Sequence, residues 1–158
     1  MNPSFGHENF HVYRVLLDFV RWATALIDEV SAAHPAKVRA VCDHLDRASL
    51  ASLFGTAEGN GARVNHAVTG SLDKARVASM ECATCLDAIV AKGACAEDRV
   101  KEGKEMLLRV VCMLTKLLNP SERIAVLREK EGEYKVRRPR RTGKRTGKTT
   151  RAAAGKEA

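Results

Sequence analysis

The sequence predicts an all-α fold, an antiparallel up-down-up-down four-helix bundle followed by a disordered basic C-terminal tail. Three observations carry this. Apolar residues make up 45% of the 158-residue chain and aromatics only 4%. Ala, Leu and Val dominate, which is bundle rather than sandwich or barrel composition. Apolar positions recur at three- and four-residue spacing in four successive stretches, parted by short Pro- or Gly-containing breaks. The charge is also segregated. Residues 1–127 hold fifteen basic and fifteen acidic side chains, whereas 134–158 hold ten Lys or Arg and one acid, Glu157. The formal net charge of +8 therefore belongs to the tail. We divide the chain into a bundle, 1–130, large enough for one real core, and a tail, 131–158.

Helix 1 is expected over 8–33. Phe10, Tyr13, Leu17, Val20 and Ile27 form one apolar stripe, and Val12, Leu16, Phe19, Ala23, Leu26 and Val30 a second beside it. Two stripes exceed what one bundle interface needs, and the second stripe is expected to supply surface for another subunit. His34-Pro35 breaks the pattern, and Pro35 suits a first helical turn. Helix 2 carries Val38, Val41, Cys42, Leu45, Ala48, Leu53 and Phe54 inward and ends near Ala57, with Glu58-Gly59-Asn60-Gly61 read as cap and turn. Helix 3, about 64–92, has a small inner stripe (Ala67, Ser71, Ala75, Ala78, Cys82, Cys85), followed by Leu86 and Ile89. Small side chains let a neighbouring helix approach closely. Lys92-Gly93 closes it. Helix 4, about 96–118, opens with Glu97 and Asp98 at the favourable dipole end and stops at Asn119-Pro120. Ser121 suits the cap of one more short turn carrying Ile124 and Leu127. No strand is expected.

Motifs with catalytic potential are weak. His7-Glu8-Asn9-Phe10-His11 matches H-E-x-x-H, the spacing that sets two imidazoles one turn apart on a zinc-protease helix. It falls on the polar side of a first turn, with no third ligand at a familiar spacing, so it reads as a chance match. Cys82-Ala83-Thr84-Cys85 lies mid-helix, where no dipole activates a thiol. No second such pair completes a four-thiolate zinc site, so these read as small buried hydrophobes. Neither a cofactor nor an enzymatic activity is expected. Five cysteines without an export signal suit reduced thiols in a cytoplasm. No apolar run reaches the length of a membrane span.

The tail residues Arg137, Arg138, Arg140, Arg141, Lys144, Arg145, Lys148 and Arg151 are the expected nucleic-acid contacts. Such a run attracts polyanions by counterion release without a fold. Two other readings of the tail stand beside this one, a solvated solubilising appendage and a contact for an acidic protein or membrane surface.

Three stretches also carry a resemblance. They are Phe10-x-x-Tyr13-x-x-x-Leu17-x-Phe19-Val20, then Leu53-Phe54-Gly55-Thr56-Ala57-Glu58-Gly59-Asn60-Gly61, and Gly70-Ser71-x-x-x-Ala75 with Glu81-Cys82. Over about 8–118 the chain resembles the bacterial four-helix-bundle proteins encoded in 23S ribosomal RNA intervening sequences. More distantly, it resembles the accessory variability protein of diversity-generating retroelements. The resemblance implies a barrel-like homopentamer, no catalytic residues, association with RNA or DNA and, for the retroelement relatives, partnership with a reverse transcriptase. The basic stretch usual after the family's turn is thin here, with only Arg63 before Lys74 and Arg76. That shifts the expected affinity to the tail. The alternative is a protein-binding adaptor bundle.

Overall fold

The computed structural model describes residues 5–62 and 65–119. Four helices, α1 (His11–Ala33), α2 (Pro35–Gly61), α3 (Asn65–Ala91) and α4 (Glu97–Leu118), follow a 3-10 turn at Gly6–Asn9. Each helix packs on its neighbours in sequence and α1 closes the ring against α4, while the diagonal pairs make no close contact. This is the up-down-up-down bundle. The segments for which the cap turn and tail were expected, from residue 120 on, lie outside the described residues.

Local chemistry explains the breaks. At the end of α1 the His34 N–H donates to Val30 O at 2.8 Å, and Pro35 starts α2 at a position whose N–H would have no helical acceptor. Gly93 ends α3 with φ +65°, a conformation that costs a residue with a Cβ about 1–2 kcal/mol. Around it, Ala94 N–H reaches Ile89 O at 3.2 Å and Gly93 N–H reaches Val90 O at 2.8 Å, a Schellman closure of the last carbonyls.

The core has two lobes. At the end holding the α1–α2 and α3–α4 connections, Phe19, Leu26, Leu45, Leu86, Ile89 and Leu107 are buried together. At the opposite end, Val12, Leu16, Leu53, Leu72, Val110 and Leu114 form the second lobe. Met106 packs against both. Burying a Leu or Phe this fully contributes about 1.5–3 kcal/mol.

The close approach inferred from small residues is present between α2 and α3. A Cβ at Gly59 would fall 2.5 Å from Leu72 Cδ2, and one at Gly55 would fall 3.0 Å from Ser71 O. Here the structure corrects the expected boundary. Glu58-Gly59-Asn60-Gly61 is not a turn, since α2 continues through Gly61. Gly59 is glycine because α3 lies against it, not because the backbone reverses. Helix 1 is shorter at its start than expected. Phe10 is extended, with ψ 115°, and caps both the 3-10 turn and α1.

Two inner-face assignments also change. Phe54 is 57% exposed, because the α2 inward face is narrowed to Ser49, Ser52, Leu53, Gly55, Thr56 and Gly59. Ala67 is exposed. On α1 the roles of the stripes are reversed. Val12, Leu16, Phe19 and Leu26, expected to exceed the core, are its most buried members. Tyr13, Leu17, Val20 and Ile27 are the half-buried surplus. Trp22 and Glu29 of α1 meet α4, while Ile27 and Ser31 border a groove against Arg39, Cys42 and Asp43 of α2. Helical spacing therefore sets the surplus on the flank of α1 toward α2.

Gly103 of α4 makes room for the sole Trp. A Cβ there would lie 2.2 Å from Trp22 Cζ3. Gly103→Ala should destabilise the bundle by about 1–3 kcal/mol in a denaturant titration, because the rigid indole cannot yield. Gly70→Ala is the control. A Cβ at Gly70 meets nothing within 4 Å, so alanine should raise stability by about 0.5–1 kcal/mol through helix propensity alone. A neutral Gly103→Ala would show that the indole is free to move.

Candidate nucleic-acid interface

The expected contacts Arg137, Arg138, Arg140, Arg141, Lys144, Arg145, Lys148 and Arg151 lie outside the described residues. What the structure does describe is the end of α4. Asn119 follows the last turn of α4, and Leu117 and Leu118 pack on the same core lobe as Phe10 and Tyr13. The end of α4 therefore shares a core lobe with the start of α1.

That end differs electrically from the other. Residues 22–47 and 79–107, around the α1–α2 and α3–α4 connections, carry ten acidic and seven basic side chains. The described residues of the opposite half, 5–21, 48–62, 65–78 and 108–119, carry four acidic and six basic ones. Arg21 pairs with Asp18 at 2.7 Å and Arg76 with Asp73 at 2.8 Å. No carboxylate among the described residues lies within ion-pair distance of Arg14, Lys74, Arg109 or Lys116. Among the described residues, this half thus carries a small cationic excess and the other an acidic one. The sequence reading balanced charge over the whole body and so missed this polarity. It becomes visible once alternate helices are reversed.

The 3-10 turn also presents aromatic rings. Phe5 N–H donates to Glu8 Oε2 at 2.9 Å and Glu8 N–H donates to Phe5 O at 3.0 Å, a reciprocal cap that holds the turn. The Phe5 ring stacks on His7 at 5.7 Å and 14°, and His7 meets Tyr13 edge-on at 4.8 Å. The H-E-x-x-H residues are thereby accounted for. His7 and His11 do not share an α-helix, because the extended Phe10 parts them. Glu8 is engaged as a cap. His7 is half-buried against Tyr13 rather than on the wet side of a turn; His11 is exposed. Among the described residues no group of three His, Cys, Asp or Glu is arranged to hold a metal ion.

All five cysteines are unpaired. Cys82 and Cys85 sit in mid-α3 and are buried. Burial, followed by the neighbouring Cys85 and Glu81, pushes the Cys82 thiol up to about 12. Burial also raises Cys85 and Cys42. Open grooves of about 450 Å3 run along the α1–α2 and α2–α3 seams. The latter is bordered by His44 and Glu81, 3.7 Å apart. No helix among the described residues is long and apolar enough to cross a membrane.

Compared with known proteins, the chain matches no family model, no curated protein and no solved structure.

The thiols provide a test of the packing. In the native protein a disulfide reagent at neutral pH should label Cys112, the exposed one, at once, and Cys82 only at the rate of unfolding. The folded Cys82 stays protonated while an unfolded thiol ionises at its ordinary, lower value. Its contribution to stability is thus intact at neutral pH and lost as pH rises from the ordinary thiol range to about 12. Cys82→Ala should flatten that alkaline loss. Rapid labelling of Cys82 at neutral pH would contradict this burial.

Proposed function

We propose that this chain is a non-catalytic, oligomeric nucleic-acid-binding bundle that grips RNA or DNA through backbone contacts from its C-terminal run. The observation that carries the reading is charge segregation, with ten Lys or Arg and one acid in residues 134–158 and exact balance over 1–127. Fixed tail cations neutralise phosphates and release counterions, which drives binding without base recognition. Arg14, Lys74, Arg109 and Lys116, without an ion pair among the described residues, lie in the half of the bundle where α4 ends, which supports the same reading. The resemblance described above supports a cytoplasmic homopentamer and an accessory role beside a reverse transcriptase. In an oligomer several tails act together, and avidity multiplies their effect.

A second reading, an adaptor that binds protein, is favoured by one observation. The half-buried Tyr13, Leu17 and Val20 flank of α1 and the exposed Phe54 are apolar surfaces of the kind protein partners cover. Self-association would cover them equally well.

Two measurements separate these readings. Removing residues 134–158 should weaken binding to nucleic acid without altering the melting of the helices. If four tail cations neutralise duplex phosphates, the slope of log affinity against log salt should fall by about 3 to 4. Equal affinities and slopes for full-length and truncated protein would leave the tail as a solubilising appendage, and absence of binding by the full-length chain would favour the adaptor. Separately, light scattering should give a multiple of the 17.3 kDa chain mass, most plainly five, in the absence of nucleic acid. A monomer at micromolar concentration would end the oligomer reading.

A further inference from the structure

We infer that Pro35 is what keeps α1 and α2 folded back on each other, and that in its absence the two fuse into one helix and α1 changes places with that of a second copy of this chain. The connection is the starting point. A single residue, His34, separates Ala33 at the end of α1 from Pro35 at the start of α2. Helical hydrogen bonding reaches it from both sides. His34 N–H donates to Val30 O at 2.8 Å, and His34 O accepts from Val38 N–H at 3.3 Å, both with the four-residue span of an α-helix. The reversal is made at the backbone of His34, with φ −139° and ψ 53°.

Pro35 accounts for that reversal. In a continuous helix residue 35 would donate its N–H to Ser31 O. Proline has no N–H, and its ring would strike that carbonyl. Proline also drives the residue before it out of the helical region, and His34 lies outside that region. Packing does not explain the ring, because Pro35 is exposed. Alanine at this position would restore the donor, remove the clash and add the strongest helix former. A helix from His11 to Gly61, about 75 Å long, would then meet no break.

Such a helix cannot keep α1 on the rest of its own chain. The inward row of α1, with Leu16, Phe19, Leu26 and Val30, is fully buried and must stay covered. In the up-down order α1 and α4 are first and last, so no connection joins them, and theirs is the least extensive of the four seams. His34 and packing alone therefore hold α1 to the other three helices. The surface that fits its inward row is the one it leaves, formed by α2 and α4. A second copy carries the same surface, and exchange of the two α1 helices restores every buried contact in both chains. A short connection that loses its stop favours such an exchange.

Exchange is independent of nucleic-acid binding, and a cross-link between α1 and α4 reads which chain supplies α1 rather than how many chains assemble. Glu29 of α1 and Arg99 of α4 pair across the seam at 2.7 Å. Both are replaced, Glu29→Cys and Arg99→Cys, in a full-length chain carrying Cys95→Ser and Cys112→Ser, so that the remaining native thiols are buried ones. A short bismaleimide should join the two positions within one chain. Adding Pro35→Ala, with refolding at high protein concentration, should move most of the cross-link to between two chains, read as a doubled mass on a denaturing gel, with helicity unchanged by circular dichroism. Inserting Gly-Ser-Gly after His34 in the Pro35→Ala chain should return the cross-link within one chain, because a flexible connection closes the hairpin again. Cross-links that remain within one chain in Pro35→Ala would overturn the inference. So would cross-links already mostly between chains with Pro35 in place, since the proline would then decide nothing. Loss of helicity in Pro35→Ala would overturn it as well, because both forms keep the whole core.

Discussion

The rest of the structure depends on α2 and α3 meeting at backbone distance. Gly55 and Gly59 present no side chain to Ser71, Leu72 and Ala75. Ser52 and Ser79, both fully buried, join their hydroxyls at 2.7 Å. Ser79 Oγ also donates to Ala75 O at 2.9 Å, so Ser52 is the donor in the pair. The polar atoms of this seam are thus largely satisfied within it, and its stability comes from many short dispersion contacts rather than a few large side chains. Thr56 Oγ1 is the exception, buried and without a partner. Such a hydroxyl costs about 1–3 kcal/mol, which the fit of the two helices offsets. Against this tight pair, α1 and α4 lay down the bulk of the apolar volume, Leu16, Phe19, Leu26, Leu107 and Leu114.

This division of labour explains where the ion pairs sit. Arg99 links α4 to Glu29 of α1 at 2.7 Å, Lys104 links α4 to Asp87 of α3, and His44 faces Glu81 across α2 and α3. All three are at the solvent edge of their seams, where such pairs contribute at most about 1 kcal/mol. They bias register rather than supply stability. The polarity of the bundle is the more consequential electrostatic feature. Among the described residues its two ends carry opposite excesses of charge, so its field has a direction along the bundle.

Much of the fold was legible in the sequence because helical spacing is a local signal. The four helices, the breaks at Pro35 and Gly93 and the small stripe on α3 all follow from residues within one or two turns. What the spacing could not tell was which of two adjacent stripes on α1 faces the core, because both have the same period; the choice is made by how α2 and α4 flank it. The glycine at 59 was misread for a related reason. A glycine near a helix end has one local meaning, a reversal, and one distant meaning, a close neighbour, and only the position of Leu72 distinguishes them. The candidate interface was legible as composition in the tail. The charge polarity of the body was not, because cations of α1, α3 and α4 come to one half only after folding, and His7, which stacks with Phe5 and Tyr13, looked like part of a metal-binding motif.

Trp22 lies between α1 and α4, stacked near Phe19 at 5.9 Å and capped by the Arg99 guanidinium at 5.5 Å. It is the sole tryptophan of the chain and packs against the core lobe at the α1–α2 and α3–α4 connections. Its emission is therefore a built-in optical probe of one seam. Loosening of α4 from α1 would withdraw the cation and wet the indole, whereas a ligand held at the opposite end would leave the spectrum as it was. The integrity of the α1–α4 seam can thus be followed by emission alone, without an added label.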